Sequence, residues 1–244
     1  MERLIKRWHS PSTGQEMGLA RYGWWGKPVV FFPTGGGDFL DCERFLMVRA
    51  LAPLIEAGRI KLYSVDSLSR SSWIDSNTPP AEKVAMQERY DAYLAQELFP
   101  FIVSDCEGCD EPAVATGSSI GGYLALAAAA RHPELFDRMI GMSGTYQMTR
   151  RMGEYWSPEW YLHDPCQFLP NMHGGPEHQQ LRDRSFFFLG RGRRFENPTY
   201  TENAAAALSA AGVAHRVEIW GGDSGHDWPT WRTMLPMALD RLVP

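Results

Sequence analysis

Short apolar runs alternate with helix-length amphipathic runs along most of the chain. Pro28-Val29-Val30-Phe31-Phe32 is continuously apolar and too short for a helix, as a strand covered on both faces would be. A glycine-rich turn follows, then an amphipathic stretch from about Glu43 to Ala57, then a second strand over Ile60–Val65. Pro79-Pro80 suits a helix start but not a helix interior, so Ala81 to about Ser104 predicts a long helix behind it. Ala113–Thr116 predicts a short strand of small residues, and Ile120–Arg131 an alanine-rich helix stopped near Pro133. Met139–Ser143 and Ser185–Leu189 predict two more strands. Tyr200–Ala211 reads as a helix ended by Gly212, Val213–Trp220 as a last strand and Trp228–Leu242 as a last helix. This alternation predicts an α/β fold with a mostly parallel central sheet and helices on both faces.

Two regions break the rhythm. Leu4–His9 and Met17–Trp24 flank a Pro11-Ser12-Thr13-Gly14 turn, which predicts an antiparallel hairpin at the sheet edge. Gln147–Arg184 is long and holds Trp156, Trp160, Tyr161, Phe168, Met148, Met152 and Met172. Residues 147–184 are therefore expected to form a lid or pocket-forming insertion, with Trp156 and Trp160 as substrate contacts. The plain alternative is packing over a helix.

Composition narrows the class. The chain has 244 residues, 44% hydrophobic and 22% charged, the make-up of a folded globule, and residues 1–244 are read as one domain. No apolar run approaches the roughly 18–20 residues that span a bilayer, so no membrane partner is expected. The first residues hold no apolar core of signal-peptide length, so export is not expected. A net charge of -5 argues against nucleic acid, whose phosphates need a basic face. Four cysteines, Cys42, Cys106, Cys109 and Cys166, are too sparse for a disulfide scaffold and suggest a cytoplasmic location. There is no metal constellation and no dinucleotide fingerprint, so neither metal nor cofactor is expected. The composition does not set an oligomeric state.

The strongest chemical signal is Gly117-Ser118-Ser119-Ile120-Gly121-Gly122. It follows a strand and opens a helix, the context in which Gly-x-Ser-x-Gly forms a nucleophile elbow. Small flanking residues let strand and helix meet at a sharp turn. The hydroxyl of Ser119 would then stand at a helix N-terminus, where backbone N–H groups favour developing negative charge. A serine needs a base, and the chain order of such a site is serine, acid, histidine. Of seven histidines, only His226 lies in a glycine-rich loop after the last strand and before the last helix. Glu196 follows the strand Ser185–Leu189 and is the expected acid. Asp223 and Asp227 compete by closeness to His226, but neighbours along one loop rarely reach the imidazole Nδ1 while the ring points at a serine. Two backbone donors are needed for an oxyanion. Ile120 supplies one. The loop Pro33-Thr34-Gly35-Gly36-Gly37-Asp38 supplies the other, through Gly36 or else Gly35, which is also a candidate substrate contact.

Weaker signals are set aside. Cys106-Glu107-Gly108-Cys109 lacks the partners of a zinc site and reads as inert thiols. Arg191, Arg193 and Arg194 crowd the acid loop, where they would bind a carboxylate or simply stay solvated. Trp24, Trp25 and Trp73 lie near expected loop tips and suit either an aryl pocket or the core.

The Gly35-Gly36-Gly37 loop, the Gly117–Tyr123 run, Arg131-His132-Pro133-Glu134-Leu135-Phe136 through to Ser143-Gly144, and the ending Gly225-His226-Asp227-Trp228 with Trp231-Arg232 are carried together. In this set, from about residue 10 onward, the chain resembles the esterase D-like branch of the α/β-hydrolases, with its S-formylglutathione hydrolases, mycolyl transferases and enterochelin esterases. The resemblance implies the α/β-hydrolase fold and carries the family triad onto Ser119, Glu196 and His226. Thr34 departs from the histidine of the related His-Gly-Gly-Gly loop, and Ser118 is a neighbour of the nucleophile outside the triad. The expected activity is that of a serine carboxylic-ester hydrolase working through an acyl-enzyme, on a small-molecule ester. A thioesterase or acyltransferase would use the same residues, and a non-catalytic binding protein would share only the fold.

Overall fold

The computed structural model describes residues 1–191, 196–221 and 225–243. The predicted N-terminal hairpin forms from β1 (Arg3–Ser10) and β2 (Gln15–Tyr22), paired antiparallel. The strands β3 (Lys27–Phe32), β4 (Ile60–Val65), β5 (Ala113–Ser118), β6 (Phe136–Met142), β7 (Ser185–Arg191) and β8 (Ala214–Trp220) follow. They join one eight-stranded sheet in the order β1-β2-β4-β3-β5-β6-β7-β8. Every pairing from β4 to β8 is parallel, and β2 meets β4 antiparallel, so the hairpin extends the sheet at one edge. β3, β4 and β5 are buried along their whole length, which explains their unbroken apolar or small-residue runs.

The two faces carry separate apolar clusters, and alternate residues of β3 feed them. Val30 and Phe32 point to one face, and Val29 and Phe31 to the other. The helix α2 (Met47–Glu56) and the last helix α11 (Trp228–Leu242) cover the Val29 face through Leu51, Ile55, Met234 and Leu235. On the Val30 face lie α3 (Pro80–Tyr93), α4 (Phe99–Asp105), α5 (Ile120–Arg131) and α10 (Thr199–Ala210).

Three expectations change in detail. The helix expected over 43–57 is split into α1 (Asp41–Arg44) and α2; at the break Leu46 takes φ 62° and Phe45 stacks on Trp228 at 4.7 Å. The long helix expected over 81–104 contains a π turn at Leu94–Leu98. Pro100 just beyond it has no N–H to donate and crowds the preceding turn, and a widened turn lets the helix continue past it. Residues 147–184 fold into α6 (Thr149–Met152), α7 (Pro158–His163), α8 (Pro165–Phe168), a 3₁₀ turn and α9 (Gly175–Arg182). Met148, Met152, Trp160, Phe168 and Leu169 are buried, so packing over the α3–α5–α10 face accounts for most of this segment. No helix among the described residues is long and apolar enough to cross a membrane.

Candidate active site

The turn from β5 into α5 is held by backbone. Ser119 adopts φ 56° and ψ -121°, a sparsely populated conformation for a side-chain-bearing residue that costs about 1–3 kcal/mol. Its N–H donates to the Met142 carbonyl at 3.1 Å, and its own carbonyl accepts from the N–H groups of Gly122 at 3.1 Å and Thr145 at 3.0 Å. The end of β6 thus fixes the residue from both sides. A Cβ on Gly117 would overlap the backbone of Gly121, and a Cβ on Gly121 would overlap the carbonyls of Phe32 and Pro33. Glycine is needed at both because α5 sits directly on the ends of β5 and β3. Ile120 is the first residue of α5, so its N–H has no partner within the helix and lies at the positive end of the helix dipole.

The loop after β3 comes to the same edge. Gly36 has φ 72° and open space where a side chain would stand, a backbone shape that favours glycine. The peptide between Gly36 and Gly37 is pinned at both ends. The Gly37 N–H donates to the Thr34 carbonyl at 3.0 Å, and the Gly36 carbonyl accepts from Nε of Arg70 at 3.1 Å and from its Nη2. Beneath it the buried Asp41 carboxylate accepts from Thr34 Oγ1 at 3.0 Å and from Arg44 at 2.8 Å. Burial pushes the Asp41 carboxyl above its usual range, against the opposing hydrogen bond from Thr34. Gly35 lies against Ile74 and Ile120. Arg70 and Asp41 carry no motif, and nothing in the local sequence of either marks it as a support for this loop.

Glu196 follows β7 and His226 follows β8. β5, β7 and β8 run parallel, so the loops after them open at one sheet edge, where such sheets bind their ligands. His226 Nδ1 lies 3.2 Å from Glu196 Oε2. The glutamate side chain is 11% exposed and the imidazole 35%. The imidazole meets the ring of Trp231 on α11 edge to face at 5.2 Å. Asp227 does other work: it caps α11, its Oδ1 accepting from the Thr230 N–H at 3.0 Å and from its hydroxyl at 2.7 Å. Asp223, Arg193 and Arg194 lie outside the described residues, as does the side chain of Arg191.

Ser119, Glu196, His226, Gly36, Gly35 and Ile120 all fall on elements that meet at this edge. The two tryptophans separate. Trp156 is 66% exposed, whereas Trp160 is buried and tilted against Trp73 at 5.8 Å, so Trp160 is a core residue and not a surface contact. Trp73 is buried too, its indole N–H donating to Gln87 Oε1 at 3.0 Å, while Trp24 and Trp25 stay exposed at the opposite end of the strands. Among the described residues no cluster of three His, Cys, Asp or Glu side chains suits a metal ion. A serine on a strained elbow, an imidazole paired to a carboxylate and backbone N–H groups nearby are the parts that acyl transfer requires.

Residues 63–242 match a protein-family model described as "Putative esterase". No curated protein matches the sequence. Solved structures share the architecture at low identity. One is a ferulic acid esterase, with TM-score 0.73, 16% identity, and coverage of 99% of this chain and 98% of that one. Another is a fluorophosphonate-binding serine hydrolase F of Staphylococcus aureus, with TM-score 0.73, 13% identity, and coverage of 100% and 98%. A third is an S-formylglutathione hydrolase from Agrobacterium tumefaciens, with TM-score 0.72, 13% identity, and coverage of 98% and 93%.

Proposed function

The chain belongs to this esterase family, and from that premise we propose that it is a serine carboxylic-ester hydrolase with a Ser119–His226–Glu196 triad. The observation that carries the reading is the 3.2 Å pairing of His226 with Glu196, two residues 30 apart in sequence, on the edge where Ser119 stands on its turn.

In this reading Glu196 accepts from His226 Nδ1–H. That fixes the tautomer, leaves Nε2 free to take the Ser119 proton, and stabilises the imidazolium that results. Ser119 Oγ attacks the ester carbonyl, and the oxyanion forms against the N–H groups of Ile120 and Gly36. One such donor is worth about 2.7–4 kcal/mol in the transition state. His226 returns the proton to the departing alcohol, the acyl-enzyme remains, and His226 then activates water to release the acid. The substrate in this reading is a small-molecule ester, with Trp156, 66% exposed, as the candidate contact for its acyl or alcohol part.

A fluorophosphonate probe followed by peptide mapping tests the reading. One adduct on Ser119 is expected, together with hydrolysis of short-chain esters. An adduct on another serine, or full turnover by Ser119→Ala, would overturn it. The same ester panel with thiol esters and added alcohols ranks hydrolysis of oxygen esters against thioesterase and transferase activity.

A further inference from the structure

The sheet ends in β8 on one side and in β1 on the other. Among the described residues β8 pairs with β7 alone, so the backbone groups along its outer side have no strand partner there. Neither of its faces is well covered: Val217 is 38% exposed and Ile219 47% on one, and the Arg216 side chain is 64% exposed on the other. Natural edge strands generally carry a device against pairing, such as lysine, proline or a run of like charge. β1 has one. Its residues include Arg3, Lys6 and Arg7 and no acid. Pairing two β1 strands antiparallel about Ile5 would set Arg3 against Arg7, and pairing them about Lys6 would set lysine against lysine.

β8 has no such device. It contains no proline and no lysine, and its two charges are opposite in sign and symmetrically placed. We propose that β8 is a self-association edge, on which a second copy of this chain pairs its own β8 antiparallel about Val217, joining the two sheets into one. In that register Arg216 of each copy faces Glu218 of the other. His215 faces Ile219, and the two Val217 side chains face each other across the two-fold axis. Successive residues of a strand point to opposite faces. Arg216 and Glu218 therefore form a charged seam on one face, while Val217 and Ile219 of both copies form an apolar seam on the other.

The side-chain contacts around β8 suit this arrangement. Arg216 and Glu218 already lie together, 2.5 Å apart, and Arg241 reaches the same carboxylate at 2.9 Å. The charged pair is thus preformed on one face, and each carboxylate gains a second strand's guanidinium on pairing. Residues directly opposite in an antiparallel pair interact through side chains, with opposite charges favourable and like charges unfavourable. A two-fold contact must be self-complementary. β8 meets that condition and β1 does not.

Sedimentation or light scattering of the full chain is the direct test, and its readout is mass rather than turnover. The wild-type chain is expected to form a dimer. Arg216→Glu sets carboxylates against each other and should raise the dimer Kd at least tenfold. Val217→Cys, in a Cys106→Ser/Cys109→Ser background, should give an intermolecular disulfide with oxidised glutathione, releasing two glutathione thiols. Arg7→Cys in the same background, on the β1 edge, should not. Circular dichroism checks that each variant is folded, and the cross-link in Val217→Cys reads the register even where Arg216→Glu fails to fold. A wild-type chain that stays monomeric, even one that captures a different protein, overturns the proposal. So does a dimer that Arg216→Glu leaves intact and that Val217→Cys does not cross-link.

Discussion

Ser119 and His226 stand three strands apart on one sheet edge, and they are held by different means. Three backbone hydrogen bonds and two glycine contacts fix Ser119, all through main-chain atoms of β3, β5, β6 and α5 and of the loops that follow β3 and β6. Among the described residues His226 is held by side chains, a carboxylate contact at 3.2 Å and a ring edge on Trp231, with a third of the imidazole open to solvent. Backbone contacts resist most side-chain substitutions but fail when a glycine gains a Cβ. Side-chain contacts can be removed singly without disturbing the fold. The two halves should therefore answer mutation differently, the first through folding and the second through turnover.

Ser119→Ala is the exception that proves the roles separable. The hydroxyl takes no part in the backbone contacts of the elbow, so its loss should remove ~10⁴-fold or more of kcat while thermal unfolding stays within a few degrees of wild type. A variant that lost activity by unfolding would show that the hydroxyl, too, holds the turn.

Gly121→Val should act the other way. Its side chain would enter the space held by the Phe32 and Pro33 carbonyls, which belong to backbone and cannot rotate aside. Destabilisation above about 4 kcal/mol, or failure to fold, is expected in chemical denaturation. On the other half, Glu196→Gln keeps size and shape. It should lower kcat by roughly 10²–10³-fold with the unfolding midpoint unchanged, because the amide no longer fixes the imidazole tautomer or stabilises its cation. Equal stability losses in the two variants would erase the distinction between the halves.

The same distinction governs what could be read from sequence. The elbow is local: six consecutive residues between a strand and a helix carry it, and the helix Ile120–Arg131 has the bounds its alanines predict. The Glu196–His226 pair is legible only through strand order, because each residue must be placed after its own strand. The sequence makes Trp160 a substrate contact and leaves Trp73 open, because aromatic residues in an irregular segment or a loop look alike whether they point in or out. Only the facing element, here each other and α5's Tyr123, decides it. Arg70 and Asp41 carry no signal at all, since each supports Gly35–Gly37 through a contact that exists only after folding.

The helix behind the elbow also ends in a cluster of titratable side chains, His132 and His163 with Asp91 and Glu134. Burial holds His163 neutral, with the nearby Arg131 charge adding to the effect, and lowers its pKa to about 4. Burial opposes charge on His132 as well, but the Asp91 carboxylate 3.1 Å from its Nε2 and the Glu134 carboxylate 3.0 Å from its Nδ1 outweigh it and raise its pKa to about 9. The signs follow. His163 protonates more readily in the unfolded chain, so stability is lost as pH falls from about 6.5 toward 4. His132 holds its proton more tightly in the fold, so its contribution is full below about 6.5 and is lost as pH rises toward 9. Each limb is about 3 kcal/mol at most. Stability measured by denaturation across pH should peak near neutrality, and His163→Leu should flatten the acid limb while leaving the alkaline one. An unchanged acid limb in that variant would place the titrating group elsewhere.

The smallest effect expected lies where the two kinds of support meet. Arg70 is an exposed side chain that holds backbone, gripping the Gly36 carbonyl with two N–H groups while the Gly37 N–H holds Thr34. With that peptide pinned, the preceding one keeps a fixed orientation and its N–H remains available to an oxyanion. Arg70→Ala removes one end of the clamp. Charge-assisted hydrogen bonds to a backbone oxygen are worth about 1.5–3 kcal/mol when made, and solvent at this exposed site weakens the contact, so kcat should fall about tenfold. KM should hold, because the oxyanion forms only as the carbonyl is attacked and ground-state binding does not use it. Arg70→Lys keeps a donor but not the two-pronged grip and should recover only part of the loss. A rise in KM at constant kcat would instead make Arg70 a contact for the substrate, and the loop would then owe its shape to Thr34 and Asp41 alone.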